Sequence, residues 1–506
     1  MQKILFLFIA IFSFSTLQAQ NPQGVIVSDT GNITVIKVWG NHFERGYASG
    51  YLLADKIKEV YENYIVPSFG SSLAMAKIMV STNDHLRIDS IYVDEAKGMI
   101  QGISDAGIIM ANVDYLDILV ANTFLDLANL GNKFPEVNMQ NGCSSLISWG
   151  NATTNTSLNG KSVLSRHLDW TTNYNLINNQ VIVVHFPDEV DEQDWLLIGF
   201  AGQISVLSGL NKSGLGVMQH MLSDVSAGGN LNMSYEPIWF SLRKAIESAD
   251  YNQDGLENVN DVRSLIENNT QGYAENYIVT AIAPASCGYD SLIAMVAEVS
   301  PANPKISFRY SSYPDSIPGD NIYAANYAIV RNDAMHFCYR YNAVISKMQN
   351  GLLIDDIINW EIMRDYSSSC AFGANGNIQF MQFIPENNIL NLAVHKSNGT
   401  QACETDSVVY DLNALFQLPL SAKENRFTQE ISIFPNPFND YISISFGNLC
   451  LEKLIITIYS IDGKKVYSNK MIKTADLIIK LENKGMYILS VETEGRLLYT
   501  NKIMHL

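Results

Sequence analysis

The sequence predicts an α+β protein carrying a separate all-β tail, and three observations predict it. Ahead of residue 143 apolar residues recur mostly at helical spacing. From Cys143 onward short alternating or apolar runs are divided by turn signals, and helices recur later. Near Arg426 the composition shifts once more, to a compact strand-rich segment. With 506 residues, 47% of them hydrophobic, the chain can bury large cores in at least two folded units. A formal net charge of -18 disfavours nucleic acid as a partner and leaves no basic stripe for an anionic membrane surface.

Taken in order, Met1-Gln2-Lys3, the apolar run from Ile4 to Phe14 and the small residue Ala19 have the form of a secretory signal peptide over 1–19. No Cys follows that site, which argues against a lipoprotein. No later apolar run reaches the roughly 20 residues a membrane span needs, so an exported chain without a transmembrane segment is expected. A strand over Ile33 to Trp39 precedes helices over Phe43 to Tyr64, Ile88 to Ile103 and Val113 to Leu130, making 20–142 mostly helical.

The domain 143–425 opens with runs at Ser144 to Trp149, Ser162 to Arg166, Val181 to Phe186, Trp195 to Phe200, Ile204 to Leu210 and Leu215 to Met221. These read as one multi-stranded antiparallel sheet, with Asn159-Gly160 as a tight turn between the first two. Helices over Pro237 to Ala249 and Arg340 to Met348 follow, with strands at Ser291 to Val299, Ile322 to Asn326 and Ile389 to His395. The tail, 429–506, reads as a small β-sandwich with Asp462-Gly463 as a hairpin turn.

Six cysteines (Cys143, Cys287, Cys338, Cys370, Cys403, Cys450) are few and widely spaced, fitting neither a disulfide framework nor a zinc site. One or two bridges remain open, and Cys338 and Cys370 read equally well as buried thiols or as partners.

Two stretches carry the chemistry: Gly142-Cys143-Ser144-Ser145, and Arg166-His167-Leu168-Asp169-Trp170 on the next strand. They suggest a cysteine that becomes a chain terminus. A thiol at a chain start has its own α-amine beside it, and a reference pKa of roughly 7.7 to 8.0 makes that amine a proton acceptor near neutrality. Both stretches resemble the N-terminal nucleophile hydrolases that include acid ceramidase, choloylglycine hydrolases and the fungal acyl-coenzyme A:6-aminopenicillanate acyltransferase. The resemblance to the acyltransferase extends through Phe43-Glu44-Arg45-Gly46, Gly50, Ala201-Gly202, Leu210 to Val217, Ile322 to Tyr327 and Arg340, covering roughly Ile33 to Thr400.

That resemblance implies a four-layer αββα sandwich and a self-cleaving amidase acting on linear non-peptide C–N bonds of a small-molecule N-acyl amide. It implies Cys143 as nucleophile, its freed amine as base, Asp169 as hydrogen-bond partner of the amine, Asn326 as an oxyanion donor and Arg166 beside the thiol. It implies cleavage between Gly142 and Cys143 and no cofactor for catalysis. The Gly216 to Met221 strand carries Gln219 and His220 where relatives carry asparagine, which leaves the second oxyanion donor open. Two alternatives stay open as well: a non-catalytic binding protein on this scaffold, and a conventional Cys-His hydrolase using His167 or His220.

The tail resembles the sorting domain of the type IX secretion system through Phe434-Pro435-Asn436-Pro437, Asp462-Gly463-Lys464, Gly485-Met486-Tyr487 and Lys502. This implies the type IX secretion machinery as a partner, with the protein secreted or attached to the outer-membrane surface. Finally, Asp250, Asn252, Asp254, Asn258 and Asp261, with Gly255 at the sixth position and the Leu256 carbonyl at the seventh, follow the calcium-loop pattern. A structural calcium is the expectation there, weakened by Glu257 where an aliphatic residue normally packs.

Overall fold

The computed structural model describes residues 22–128, 142–222, 229–286, 292–310, 317–331, 338–419, 431–446, 454–471, 477–493 and 496–506. The expected signal peptide, Cys287 and Cys450 lie outside the described residues.

Two sheets form the main body, with strands numbered in chain order. The nine-stranded sheet runs β1 (Gly24–Thr30), β2 (Ile33–Gly40), β5 (Gln180–Pro187), β6 (Trp195–Phe200), β7 (Ser208–Asn211), β8 (Gly216–Met221), β9 (Tyr277–Ile282), β10 (Ala294–Val299), β11 (Ile306–Arg309). The six-stranded sheet runs β12 (Asn321–Ala324), β3 (Cys143–Ser148), β4 (Val163–Asp169), β13 (Asn377–Ile384), β14 (Ile389–Val394), β15 (Val408–Asp411). The strands expected to form one antiparallel sheet therefore divide between two, and β2 pairs with β5 in parallel. Both of these strands are covered on both faces, so their apolar residues run nearly without interruption and conceal the change of sheet.

Alternation along each strand builds the layers. On β2, Ile36 and Val38 join a core under the helices Ala54–Val60 and Ser90–Asp105, whereas Ile33, Val35 and Trp39 join the core between the two sheets. Leu196 and Ile198 of β6 share that inner core with Leu164 of β4 and Met381 of β13. The outer face of the second sheet, with Leu146, Val163 and Phe380, packs on the helices Tyr339–Met348 and Asp356–Tyr366. The order is helices, sheet, sheet, helices, as expected.

Asn159-Gly160 supplies positive φ values of 49° and 87°, but within a longer connection between β3 and β4 instead of a two-residue hairpin. The expected strand from Ile204 is shortened to β7, because Ile204 and Ser205 donate their N–H groups to Asn122 Oδ1 and leave the ladder.

The helices His42–Leu52 and Ser90–Asp105 meet backbone to backbone. A Cβ built on Gly46 would lie 2.0 Å from the Glu95 carbonyl oxygen, one on Gly50 2.1 Å from that of Met99, one on Gly98 2.1 Å from that of Phe43 and one on Gly102 2.1 Å from that of Tyr47. The glycine pair noticed at the first helix is thus matched by a second pair on its partner.

A buried ion network fastens these helices to the sheet. His42 bonds Glu95 through Nδ1 and Glu192 through Nε2, both at 2.8 Å. Arg45 reaches Glu189 at 2.7 Å and Glu192 at 2.9 Å, and Arg243 pairs with Glu95 at 2.6 Å and Glu247 at 2.7 Å. Burial alone would lower the His42 pKa, but the hydrogen bonds to Glu192 and Glu95 overcome it and push the pKa up to about 9.

The tail is a separate sandwich. One sheet has β16 (Ser432–Phe434), β17 (Ile442–Ser445) and β20 (Leu477–Ile479); the other has β19 (Lys465–Met471), β18 (Leu454–Ser460), β21 (Gly485–Thr493) and β22 (Arg496–His505). Ile442 and Ile444 from the first face Ile456, Ile458 and Leu489 from the second in a single core. Gly463, at φ 84°, makes the expected turn between β18 and β19.

Two outcomes follow from the helical layer. Gly98→Ala drives a methyl into the Phe43 carbonyl, so it lowers unfolding free energy toward the upper end of the ~1–3 kcal/mol typical of overpacking, as denaturant titration will read. Because the His42 pKa is raised above its ordinary 6.5 to about 9, its stabilisation is complete below pH 6.5 and disappears as pH rises through 9. Stability should fall by up to about 3 kcal/mol across that window, and His42→Gln should flatten the curve.

Candidate active site around Cys143

Cys143 opens β3 with its side chain on the inner face, at the end of the sandwich where the helical layer leaves a cavity of about 90 Å³. Ile57, Val60, Tyr64, Phe124, Leu168 and Trp170 are among its walls, so the cavity is apolar almost throughout. Two hydrogen bonds join residues of its lining: Trp170 Nε1 donates to the Tyr64 hydroxyl at 2.6 Å, and Trp239 Nε1 donates to Gln219 Oε1 at 3.0 Å.

The thiol is 5% exposed. Burial pushes its pKa up, and the Arg166 guanidinium, whose Nη2 lies 3.7 Å from Sγ, pulls it back. Arg166 is itself fixed by Ser208 Oγ at 3.1 Å and the Gln219 carbonyl at 2.9 Å.

The backbone ahead of the thiol is equally constrained. Gly142 offers its carbonyl to the Asp169 N–H at 2.8 Å. The Cys143 N–H donates to Asn326 Oδ1 at 2.7 Å, and Arg340 Nη2 donates to the same oxygen. These two donors orient the amide and turn its Nδ2 to the Met221 carbonyl at 2.7 Å. Arg340 Nη1 continues to Asp169 Oδ2 at 3.2 Å. A Cβ at Gly142 would lie 2.1 Å from Arg340 Nη2 and 2.2 Å from Asn326 Oδ1, so this position accepts only glycine without displacement of its neighbours.

The expected site residues Cys143, Arg166, Asp169 and Asn326 are therefore brought together, each in a geometry of its own. In the intact chain Asn326 meets the Cys143 nitrogen through its carbonyl oxygen, not through its N–H. The Asp169 carboxylate bonds Arg340, Asn377 Nδ2 at 2.7 Å and Ser369 Oγ at 3.2 Å, and reaches the Cys143 end through Arg340 and Asn326. Burial pushes its pKa up, with Arg340 and Asn377 opposing.

The two histidines behave differently from a catalytic base. His167 sits on the outer face of β4, stacked on Phe380 with centroids 3.9 Å apart and bonded to the Met363 carbonyl, and burial pulls its pKa down to about 3. His220 points between the sheets to Ser145 Oγ at 2.8 Å, and burial holds its pKa well below the usual range. Gln219, its neighbour on β8, faces the other way and lines the cavity with Cys143, and among the described residues its Nε2 meets the Met221 thioether at 3.7 Å.

Sequence reasoning assigned no role to Arg340, Ser208, Ser369 or Asn377. The first was visible only as one piece of the resemblance. The others are common residue types brought in from distant strands and turns.

The loop of the calcium pattern lies between the helices Ile238–Glu247 and Val259–Asn268. Asp250 accepts from the Gly255 N–H at 2.7 Å and the Asp254 N–H at 3.2 Å, and Asp254 accepts from the Leu256 N–H at 2.8 Å. Asp261 accepts from the N–H groups of Asn252 and Asn258 at 3.2 and 3.0 Å, and Asn258 caps the second helix through the Asn260 N–H at 2.8 Å. Burial raises the Asp261 pKa, and Asp250 and Asp254 raise it further by like charge. Carboxylate, amide and carbonyl oxygens from 250–261 are hard donors of the kind calcium takes, and here the carboxylates are bonded to the loop's own N–H groups.

Among the described residues no helix is long and apolar enough to cross a membrane. A curated relative, Protein dcd1B of Dictyostelium discoideum, is 24% identical over 238 residues, 43% of this chain. The aligned part likewise spans 43% of that relative's length. Among solved structures, the Caenorhabditis elegans ortholog of N-acylethanolamine-hydrolyzing acid amidase overlaps 53% of this chain and 100% of its own at 12% identity, with a TM-score of 0.34. A variant of conjugated bile acid hydrolase from Clostridium perfringens overlaps 55% and 99% at 12% identity, with a TM-score of 0.30. Penicillin V acylase from Agrobacterium tumefaciens overlaps 50% and 82% at 8% identity, with a TM-score of 0.28. The family model described as the secretion system C-terminal sorting domain matches residues 432–505, and this segment belongs to that family.

Proposed function

We propose that the main body is a self-processing cysteine amidohydrolase of the N-terminal nucleophile type, exported by the type IX route through its sorting domain. It acts on linear amide C–N bonds of N-acyl compounds through a thioester on Cys143. The observation that carries this reading is a thiol at the wall of an apolar cavity with a guanidinium beside it and, among the described residues, no imidazole hydrogen-bonded to it, next to a scissile position that already holds its carbonyl and its N–H in separate hydrogen bonds.

Self-cleavage uses those bonds. Cys143 Sγ attacks the Gly142 carbonyl carbon, and the developing oxyanion takes the Asp169 N–H. The C–N bond breaks and the thiol proton passes to the departing nitrogen, which stays against Asn326 Oδ1. Water then hydrolyses the thioester, leaving Gly142 as a carboxylate and Cys143 with a free amine. Glycine at 142 supplies the room.

The freed amine then takes the thiol proton, and the thiolate attacks the acyl carbonyl of the substrate. Proton return from the amine releases the substrate's amino part, and water or another amine takes the acyl group from sulfur. The apolar cavity fits an apolar acyl group. Departure of the Gly142 carbonyl frees the Asp169 N–H for the substrate oxyanion. Gln219 Nε2, poorly partnered in the cavity, is the second donor. Asn326 Nδ2 joins them as its carbonyl contact relaxes. Arg166 stabilises the thiolate throughout.

Intact-mass measurement tests this first. The expected product is a cut between Gly142 and Cys143, absent in Cys143→Ala; a single uncut chain that turns over N-acyl amides would sink the reading. In processed protein, Asn326→Ala should lose about 100- to 1000-fold in turnover, the usual cost of one oxyanion donor.

We also propose a structural calcium on the loop 250–261, held by Asp250, Asn252, Asp254, the Leu256 carbonyl, Asn258 and Asp261. The spacing of the loop's oxygen-bearing residues supports it, as does the nearness of Asp250 and Asp254 to Asp261, whose pKa burial raises and they raise further. Calcium at 100 times its Kd should stabilise the fold by about 2.7 kcal/mol, and Asp250→Ala should abolish that gain; a melting temperature indifferent to calcium and chelator rejects it.

A further inference from the structure

We propose that the Cys370–Cys403 disulfide is a redox-dependent clamp on the site around Cys143, acting through Ser369, Gln401 and Asn377 as positioning residues for Asp169. This rests on the function proposed above.

The disulfide joins cysteines 33 residues apart. Cys370 directly follows Ser369, whose hydroxyl donates to Asp169 Oδ1 at 3.2 Å. Cys403 lies in the short turn Ala402–Glu404 that Gln401 opens. Gln401 Oε1 accepts from the Gly376 N–H at 3.0 Å, the Asn377 N–H at 3.1 Å and Ser369 Oγ at 3.4 Å, while its Nε2 donates to the Ala374 carbonyl at 3.1 Å. Asn377 Nδ2 completes the circuit to Asp169 Oδ1 at 2.7 Å.

Both side-chain donors on that carboxylate oxygen therefore flank one loop. Its residues 371–375 are solvent-exposed and contribute nothing to the buried cores. Phe372 packs edge-on against Tyr339 and the Gly376 carbonyl accepts from the Trp170 N–H at 2.7 Å, and what ties the loop to the turn at 402–404 is the side chain of Gln401 and the covalent bond next to it. Downstream, the other oxygen of Asp169 holds Arg340, and Arg340 holds Asn326 at the Cys143 nitrogen. A loosened loop is felt at the nucleophile through one ion pair and two hydrogen bonds.

Small reductants reach the bond from the Cys370 side, since Cys370 is partly exposed whereas Cys403 is buried. A thiolate of an external dithiol attacks one sulfur and expels the other as a thiolate. The reagent's second thiol then closes its own disulfide and frees the first sulfur. Two protein thiols form while the dithiol is oxidised. Cys143 and Cys338, the other cysteines among the described residues, are unpaired and unaffected by that step.

The test uses full-length protein scored first by intact mass for cleavage before Cys143, so that absent processing is read as failure of the proposed function and not of the clamp. Alkylation of Cys143 by iodoacetamide, mapped by peptide mass across a pH series, is then compared between the oxidised protein and Cys370→Ser/Cys403→Ser. The expected result is a loss of about 10- to 100-fold at pH 7, the scale of a small misplacement of a reacting group. The rise of rate with pH should also move to lower pH, because Asn326 Oδ1, positioned by Arg340 and Asp169, no longer accepts from the protonated amine. Gln401→Ala should reproduce both changes with the disulfide intact. Unchanged rate and pH profile in folded double variant and in Gln401→Ala overturn the clamp. Should the double variant not fold, reversible reduction of the wild type decides: recovery on reoxidation supports the proposal, and indifference to reduction overturns it.

Discussion

Arg340 is buried against Asp169, and the geometry around Cys143 depends on that ion pair. One guanidinium gives a carboxylate from β4 and an amide from the end of β12 a common position, and the backbone between Gly142 and Cys143 lies across both. Taking two charges out of water is expensive, and such a pair holds only when the remaining donors and acceptors are met. Here Asn377 and Ser369 meet the carboxylate and Asn326 meets the guanidinium. Removing either charge would strand the other in the interior.

The same enclosure shapes the thiol. A sulfur buried in an apolar cavity resists ionisation, and Arg166 offsets only part of that cost. A base adjoining the sulfur is still required for nucleophilic attack at neutral pH. His167 and His220 are excluded by direction: one lies on the far side of the six-stranded sheet and the other is spent on Ser145. Among the described residues the nitrogen of Cys143 itself is the candidate nearest the sulfur, and as an amide it cannot serve. Cleavage of its bond to Gly142 would convert a structural N–H into the missing base, which is why processing and catalysis belong to one proposal.

The helical layer has a supporting task of the same kind. Paired glycines let two helices touch along their backbones, and the network of His42, Arg45, Glu95, Glu192 and Arg243 ties them to the sheet. That layer supplies one wall of the cavity, through Ile57, Val60, Tyr64 and Phe124. Its height above β3 sets the depth of that cavity.

Local pattern alone determined much of this. Alternation and periodicity located most strands and helices, the tail announced itself by composition, and a family resemblance carried by short stretches of sequence singled out Cys143, Arg166, Asp169 and Asn326. Those features are written in neighbouring residues. Only the tertiary structure decided which sheet each strand joins, because strands buried on both faces look alike whichever partner they pair with. It alone also showed that Asn326 presents its oxygen, that Gln219 and not His220 faces the cavity, and that Cys370 pairs with Cys403. Each of these depends on groups far apart in the chain, whose contacts leave no trace in local spacing.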